Sequence, residues 1–214
     1  MKRRVFLLLP LMPLASRAAN ADDVTPAATR VFQVIDAMDV EHLWPAGVRV
    51  NWRTGIPNGE PETGGGHHTH CSAFVAAAAE KLGIYILRPP EHSAKLLANA
   101  QIDWLQTEGP SQGWMQVHDM AEAQAKANAG FLVVAAYHNH HDDRPGHIAI
   151  VRPGDKTADV LAQEGPDVTQ AGEHNYVSTS MRNGFSAHKA AWRDHEIQLY
   201  AHPIDTARIG VELN

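Results

Sequence analysis

The stretch that decides the fold runs from His70 to Val75 and reads HCSAFV. It holds Cys71, the one cysteine in 214 residues, and four alanines with high helix propensity follow it directly. Phe74 and Leu82 recur at helical spacing, and Gly83 is the type of residue that ends a helix. The pattern predicts a helix of about three turns that begins at or just before Cys71.

The first 21 residues have the composition of an export signal. Lys2, Arg3 and Arg4 precede a short apolar stretch, and Ala19-Asn20-Ala21 fits a cleavage site. The apolar stretch is too short, and too interrupted by proline, to cross a bilayer as a helix. We therefore expect a signal peptide over residues 1–21, a single domain over residues 22–214 and a secreted or periplasmic protein without stable membrane insertion.

Charge restricts the partners of such a domain. The whole chain has 18 basic and 24 acidic residues, and four of the basic ones lie in residues 1–21, so the remainder has a net charge of about −10. Nucleic acid and anionic lipid repel a surface with this balance, and neither is expected as a partner. The sequence has no nucleotide-binding glycine loop, and no cofactor is expected.

The lone thiol suggests chemistry, because exported proteins normally use cysteines in pairs as disulfides. A thiol becomes a strong nucleophile only as the thiolate, and a helix N-terminus stabilises that anion through its free N–H groups and its dipole. The position of Cys71 therefore predicts a lowered thiol pKa and a nucleophilic role; the alternative is a small, buried and inert cysteine.

The rest of the chain alternates between helical and extended patterns. Helices are predicted over 26–39, 93–106 (with Ser93 as cap) and 120–128, and the Gly- and Pro-rich segment between Pro45 and His70 is predicted to be a surface loop. Short β-favouring runs occupy 131–137, 147–151, 160–163 and 196–201. Helices followed by strands indicate an α+β fold with an antiparallel sheet covered on one face.

A base for the thiol is predicted at His147, which follows the turn Pro145-Gly146 and opens the strand HIAIV. A histidine in this position points over the end of the sheet, where a helix start can meet it. The next predicted strand offers Gln163 and Glu164 as the acceptor that orients the imidazole. Strand side chains alternate faces, so only one of the two can point at His147, and the sequence does not choose between them.

The pieces HCSAFV and GHIAIV, followed by a polar residue one strand later, resemble the papain-like cell-wall cysteine amidohydrolases, including the CHAP domains and peptidoglycan amidases. The resemblance covers about residues 65–165. It implies a papain-like α+β fold in which the helix that starts at the nucleophile packs on an antiparallel sheet. Ser72 stands where CHAP domains often have asparagine.

What the resemblance implies is hydrolysis of an amide bond in the peptide stem of peptidoglycan, or of the bond between stem and glycan, with Cys71 as nucleophile and His147 as base. The backbone N–H of Cys71 or Ser72 would then help to hold the oxyanion. Trp114, in a glycine-containing loop, is the candidate for a wall of the substrate site. A peptidoglycan or muropeptide substrate and an inhibitor protein are the partners to consider, and we expect a monomer.

Two other classes of protein compete with this interpretation. Histidines cluster at His67, His68 and His70 and again at 138–141 beside two aspartates, which suggests a metal-binding protein or metallohydrolase. Neither cluster has the spacing of a helical zinc motif, so no metal ligand is assigned. The five tryptophans suggest a noncatalytic glycan-binding module, which would have no use for Cys71.

Overall fold

A computed structural model describes residues 23–61 and 68–205. The predicted signal peptide of residues 1–21 lies outside the described residues, as does His67. In chain order the elements are α1 Pro26–Asp36, β1 Val48–Val50, β2 Pro57–Pro61, α2 Cys71–Lys81, α3 Leu97–Thr107, β3 Met115–Val117, α4 Met120–Asn128, β4 Leu132–Tyr137, β5 His147–Val151, α5 Ala158–Glu164, β6 Asp167–Ala171, β7 Asn175–Ser180, α6 Met181–Gly184, α7 Lys189–Arg193 and β8 Gln198–His202. Short 3-10 turns cover Gly109–Gln112 and Ser186–His188.

The centre of the molecule is a six-stranded sheet of order β3-β8-β4-β5-β6-β7, in which every pair of neighbours is antiparallel. Strands β4 and β5 are buried along their whole length, as expected for strands covered on both faces. The fold is α+β with helices packed against an antiparallel sheet, which confirms the predicted class and is compatible with a papain-like fold.

Two apolar clusters cover the two faces of the sheet. On one face, Ile148 and Ile150 pack against α1, α2 and α3; on the other, Ala149 and Val151 pack against α4, α6 and α7. The prediction of cover on one face was therefore incomplete. Helix α2 can lie in the core because its alanines let it approach the sheet closely, and Cys71–Ala79 are all buried.

Helices α1 and α4 have the starts that the sequence predicts. The Thr25 side chain accepts a hydrogen bond from the Ala28 N–H, and Asp119 does the same for Glu122. Helix α3 differs, since it begins at Leu97 after Leu96 in a left-handed conformation, and Ser93 is not its cap. Helix α1 ends three residues before the predicted boundary.

Two predicted segments were wrong. The segment predicted as a loop between Pro45 and His70 contains the hairpin β1–β2, and the predicted strand over 160–163 is part of helix α5. The polar stretch after α5 contains strands β6 and β7 instead. Among the described residues, no helix is long and apolar enough to cross a membrane.

Candidate active site

Cys71 is the first residue of α2, and its first-turn N–H groups have no side-chain cap. The preceding residue, His70, occupies the cap position but turns its Nε2 toward the carbonyl oxygens of Val48 and Pro45, at 2.8 and 3.1 Å. His70 thus ties the β1 hairpin to the helix start. Of the first-turn N–H groups, those of Cys71 and Ser72 are directed at the sulfur.

The Cys71 thiol lies against the beginning of β5, where it faces the backbone N–H of Ile148. The hydroxyl of Thr69 and the N–H of Ser72 also contact the sulfur. The ladder between β5 and β6 pairs only Ile150 and Val151 of β5, so the strand is free of β6 at the level of Ile148. The thiol thus occupies the end of the sheet, beside the residue that follows His147.

The predicted lowering of the thiol pKa was wrong. Burial raises the pKa of Cys71 above its ordinary value, and the hydrogen bonds from Ile148, Thr69 and Ser72 oppose this effect without overcoming it. Cys71 is 4% exposed and belongs to the apolar cluster around α2. A helix N-terminus stabilises a thiolate, but in this protein desolvation is the larger effect, and the resting thiol is neutral.

His147 begins β5, as predicted, and is buried at the end of the sheet. Its ring packs edge-on against Phe185 and stacks on His188, with ring centroids 4.8 and 5.9 Å away. Burial lowers the pKa of His147 to about 4. The imidazole is therefore neutral at neutral pH and can accept a proton.

The loop that leads into His147 is organised by Asn99 of α3. Its Oδ1 accepts hydrogen bonds from the N–H groups of Gly146 and Asn139, at 2.7 and 3.2 Å, and its Nδ2 donates to the Arg144 carbonyl at 3.0 Å. A Cβ at Gly146 would lie 2.0 Å from the Tyr137 carbonyl oxygen, so only glycine fits there. The turn before His147 is thus fixed by a buried amide from a distant helix.

Gln170 of β6 is the hydrogen-bond partner of His147, with 2.8 Å between its Oε1 and the imidazole Nε2. The orientation of the Gln170 amide follows from its other contact, because its Nε2 donates to the His174 carbonyl at 3.1 Å and a carbonyl can only accept. Oε1 must then accept from His147, which places the imidazole proton on Nε2. The lone pair of His147 lies on Nδ1.

Gln163 and Glu164, the sequence candidates for this contact, are both exposed on helix α5. The Gln163 carbonyl accepts from Arg182, and the Glu164 carboxylate lies 3.7 Å from the Lys156 amine. The assignment failed because the segment expected to pair beside β5 is helical, and the strand that does pair there comes three residues after Glu164.

Two further sequence candidates have contacts that the structure now defines. Ser72 is buried, and its carbonyl accepts from the Gln101 side chain at 3.1 Å. Trp114 is 2% exposed and donates its Nε1 hydrogen to the Tyr85 carbonyl at 2.8 Å, so its assignment to a wall of the substrate site was wrong. The indole therefore belongs to the core, and its one polar atom has a hydrogen-bond partner.

A cleft of about 240 Å³ opens beside His147 and Gln170. Its lining includes Thr69, whose hydroxyl contacts the thiol, but not Cys71 itself. The lining also includes Gly146, Glu173, His174, Tyr176, Ser186 and His188. A larger cavity, of about 490 Å³, is lined by Trp192 and His195 among others, and none of the residues around the thiol line it. The smaller cleft is the candidate site because His147 and Gln170 line it, although the other cavity is larger.

The histidine clusters do not assemble a metal site in the part of the chain that the structure describes. No group of three or more His, Cys, Asp or Glu side chains is close enough there to hold an ion. His138 faces Asp103, and His140 faces Glu196. His138 and His140 are thus paired with different acids.

Comparison with known proteins gives one informative similarity. The chain is 35% identical over 85 residues to the peptidoglycan amidase Tse1 of Pseudomonas aeruginosa, which is 40% of this chain and 46% of that protein. The chain thus matches less than half the length of this relative. No family model matches the chain.

Proposed function

We propose that this protein is an exported cysteine amidohydrolase that cleaves an amide bond of peptidoglycan, with Cys71 as nucleophile and His147 as general base. The observation that carries the proposal is the placement of a lone thiol, at a helix start, against the strand end that bears a His147–Gln170 hydrogen bond. The similarity to a peptidoglycan amidase supports the substrate class. Export rests on the sequence of residues 1–21.

The two groups start the reaction in their neutral forms, because burial raises the pKa of Cys71 and lowers that of His147. The sulfur attacks the amide carbonyl carbon while its proton moves to Nδ1 of His147, the nitrogen that Gln170 leaves free. Proton transfer during the attack avoids a separate buried thiolate, whose desolvation would be costly. Gln170 accepts from the Nε2–H throughout and holds the ring in place.

The tetrahedral oxyanion would be held by the backbone N–H groups at the start of α2, including that of Cys71 or Ser72. Collapse of this intermediate breaks the carbon–nitrogen bond, and the nitrogen leaves with the proton from His147. A thioester on Cys71 remains. Water then attacks the thioester carbon and gives a proton to His147, which returns it to the departing sulfur and frees the carboxylic acid.

Mass spectrometry of a purified disaccharide-tetrapeptide muropeptide after digestion tests this proposal. The wild type should release a new amine and a new carboxylic acid, and Cys71→Ala should release neither while keeping the wild-type circular dichroism spectrum. Alkylation of Cys71 by iodoacetamide should abolish cleavage. Cleavage by Cys71→Ala, or wild-type activity that EDTA removes and zinc restores, would exclude thiol catalysis.

A further inference from the structure

A second imidazole lies beside the proposed base and takes no part in the mechanism above. His188 ends the 3-10 turn Ser186–His188 and lines the same cleft as His147. Its ring stacks on that of His147, with 5.9 Å between centroids and 24° between planes, and its other ring neighbour is Tyr137 at 5.2 Å. The backbone N–H of His188 donates to the Phe185 carbonyl at 2.8 Å, which fixes the turn.

The ring nitrogens of His188 have no hydrogen-bond partner among the described residues, although the side chain is half-buried. Neither ring nitrogen is among the buried side-chain atoms that lack a partner in the described residues, so both are open to solvent, and a ligand in the cleft can replace water as their hydrogen-bond partner. Two other polar side chains that line this cleft already have partners. Gln170 is bonded to His147 and His174, and Asn183 donates to Thr179.

The charge state of His188 determines which kind of chemical group can bind to its ring. Burial and the neighbouring His147 lower the pKa of His188 to about 4, so at neutral pH the ring presents one N–H donor and one nitrogen acceptor. A peptide amide offers the complementary pair, a carbonyl oxygen and an N–H. A carboxylate would instead favour protonation of His188, and a second cation would then stack on His147 at the moment when that ring takes the thiol proton.

The position of the His188 ring also indicates which side of the scissile bond it contacts. The leaving nitrogen must receive its proton from His147, so the residue attached to that nitrogen lies closest to the groups that flank this imidazole. His188 is in direct ring contact with His147 on the cleft wall. We propose that His188 is a substrate-contacting residue that hydrogen-bonds a main-chain amide on the amine side of the scissile bond; this inference rests on the proposed function.

Three variants separate this role from a structural one. His188→Phe keeps a flat ring for stacking but removes the hydrogen bonds, and His188→Gln keeps a neutral donor and acceptor. His140→Phe is the matched control, because the His140 ring also packs on Tyr137, at 6.2 Å, but is bonded to Glu196 and does not line the cleft.

The readouts are kcat/KM on the disaccharide-tetrapeptide, the rate of Cys71 alkylation by iodoacetamide, and inhibition by each of the two products purified from the wild-type digest. His188→Phe should lower kcat/KM about tenfold and weaken inhibition by the amine product by the same factor, as the loss of one hydrogen bond predicts. Inhibition by the acid product and the alkylation rate should stay unchanged. His188→Gln should recover most of the loss, and His140→Phe should behave as wild type.

The inference is overturned if His188→Phe cleaves like the wild type, if it slows alkylation as much as cleavage, or if it weakens inhibition by the acid product instead. Equal slowing would mean that His188 acts only through His147. A wild-type protein that leaves the muropeptide intact would overturn the proposed function itself, and this inference with it.

Discussion

Replacement of Gln170 by glutamate changes the group that faces His147 from a neutral acceptor to an acid at the same position. The Gln170 Oε1 lies 2.8 Å from the imidazole Nε2, so a carboxylate there would contact the ring directly. Its negative charge stabilises the protonated imidazole. The proposed base should then be protonated, and therefore inactive, at a pH where the wild-type base is still free.

The size of the shift follows from the geometry. Two unit charges about 4 Å apart interact by ~4 kcal/mol at an effective dielectric constant of about 20, which corresponds to roughly three pKa units. Burial of the new carboxylate and loss of the donor to the His174 carbonyl reduce this gain. We expect the acidic limb of activity to move from about pH 4, the pKa of His147, to about pH 6.

The assay is the pH dependence of kcat/KM on the muropeptide, measured together with that of iodoacetamide alkylation. Gln170→Leu, which removes the acceptor, should lower kcat by roughly 10- to 100-fold, because a buried Nε2–H is left unsatisfied and the ring loses its orientation. Gln163→Glu and Gln163→Leu are the matched controls, since that side chain is exposed on α5. The reasoning is refuted if the acidic limb of Gln170→Glu stays where it is in the wild type, or if the Gln163 variants give the same changes.

Three further predictions concern the scaffold. Gly146→Ala should destabilise the fold and lower Tm, because the added Cβ would lie 2.0 Å from the backbone oxygen of Tyr137; an unchanged Tm would contradict this contact. Trp114→Phe should lower the free energy of unfolding by ~1 kcal/mol through loss of the bond to Tyr85, but leave kcat unchanged; a large fall in kcat would restore the tryptophan to the substrate site. In urea titrations His147 should contribute a loss of up to about 3 kcal/mol between pH 6.5 and pH 4, because an unfolded histidine is protonated at about 6.5 whereas His147 resists protonation down to about 4. His188, whose pKa is also about 4, adds a loss of the same sign. His147→Gln should lose less over this range, and an equal loss would assign the effect to other groups.

Local sequence signals predicted the positions of Cys71 and His147, the two members of the proposed catalytic dyad. The helix start at Cys71 is encoded by the alanine run that follows it, and the strand start at His147 by the turn before it and the β-branched residues after it. Both signals lie within a few residues of the side chain concerned. The pKa of the thiol was not predictable in this way, since burial against β5 is a tertiary effect.

The partner of His147, Gln170, was not predicted, for two reasons. Residues 160–163 favour β-structure and predict a strand, but they belong to helix α5, of which only Leu161 is buried. Strand β6 looks polar, and its one local signal is the pair Val168-Thr169 between Pro166 and Gly172. The bond from Gln170 to His147 spans 23 residues, and it depends on the pairing of β5 with β6 rather than on any spacing within one segment.

The register of β6 therefore determines whether Gln170 reaches His147, although the polar sequence of the strand does not indicate this role. Gln170 must present one amide oxygen to His147 and its amide nitrogen to His174, and glycines 172 and 184 leave room for it: a Cβ at either would come within 2.9 Å of that amide. A slip of one residue would turn Gln170 to the opposite face of the sheet and bring Thr169 or Ala171 to its place. Neither replacement could accept from the imidazole over the same distance. Pairing of the central strands thus sets the tautomer of His147, and with it which nitrogen is free to take the proton from the thiol.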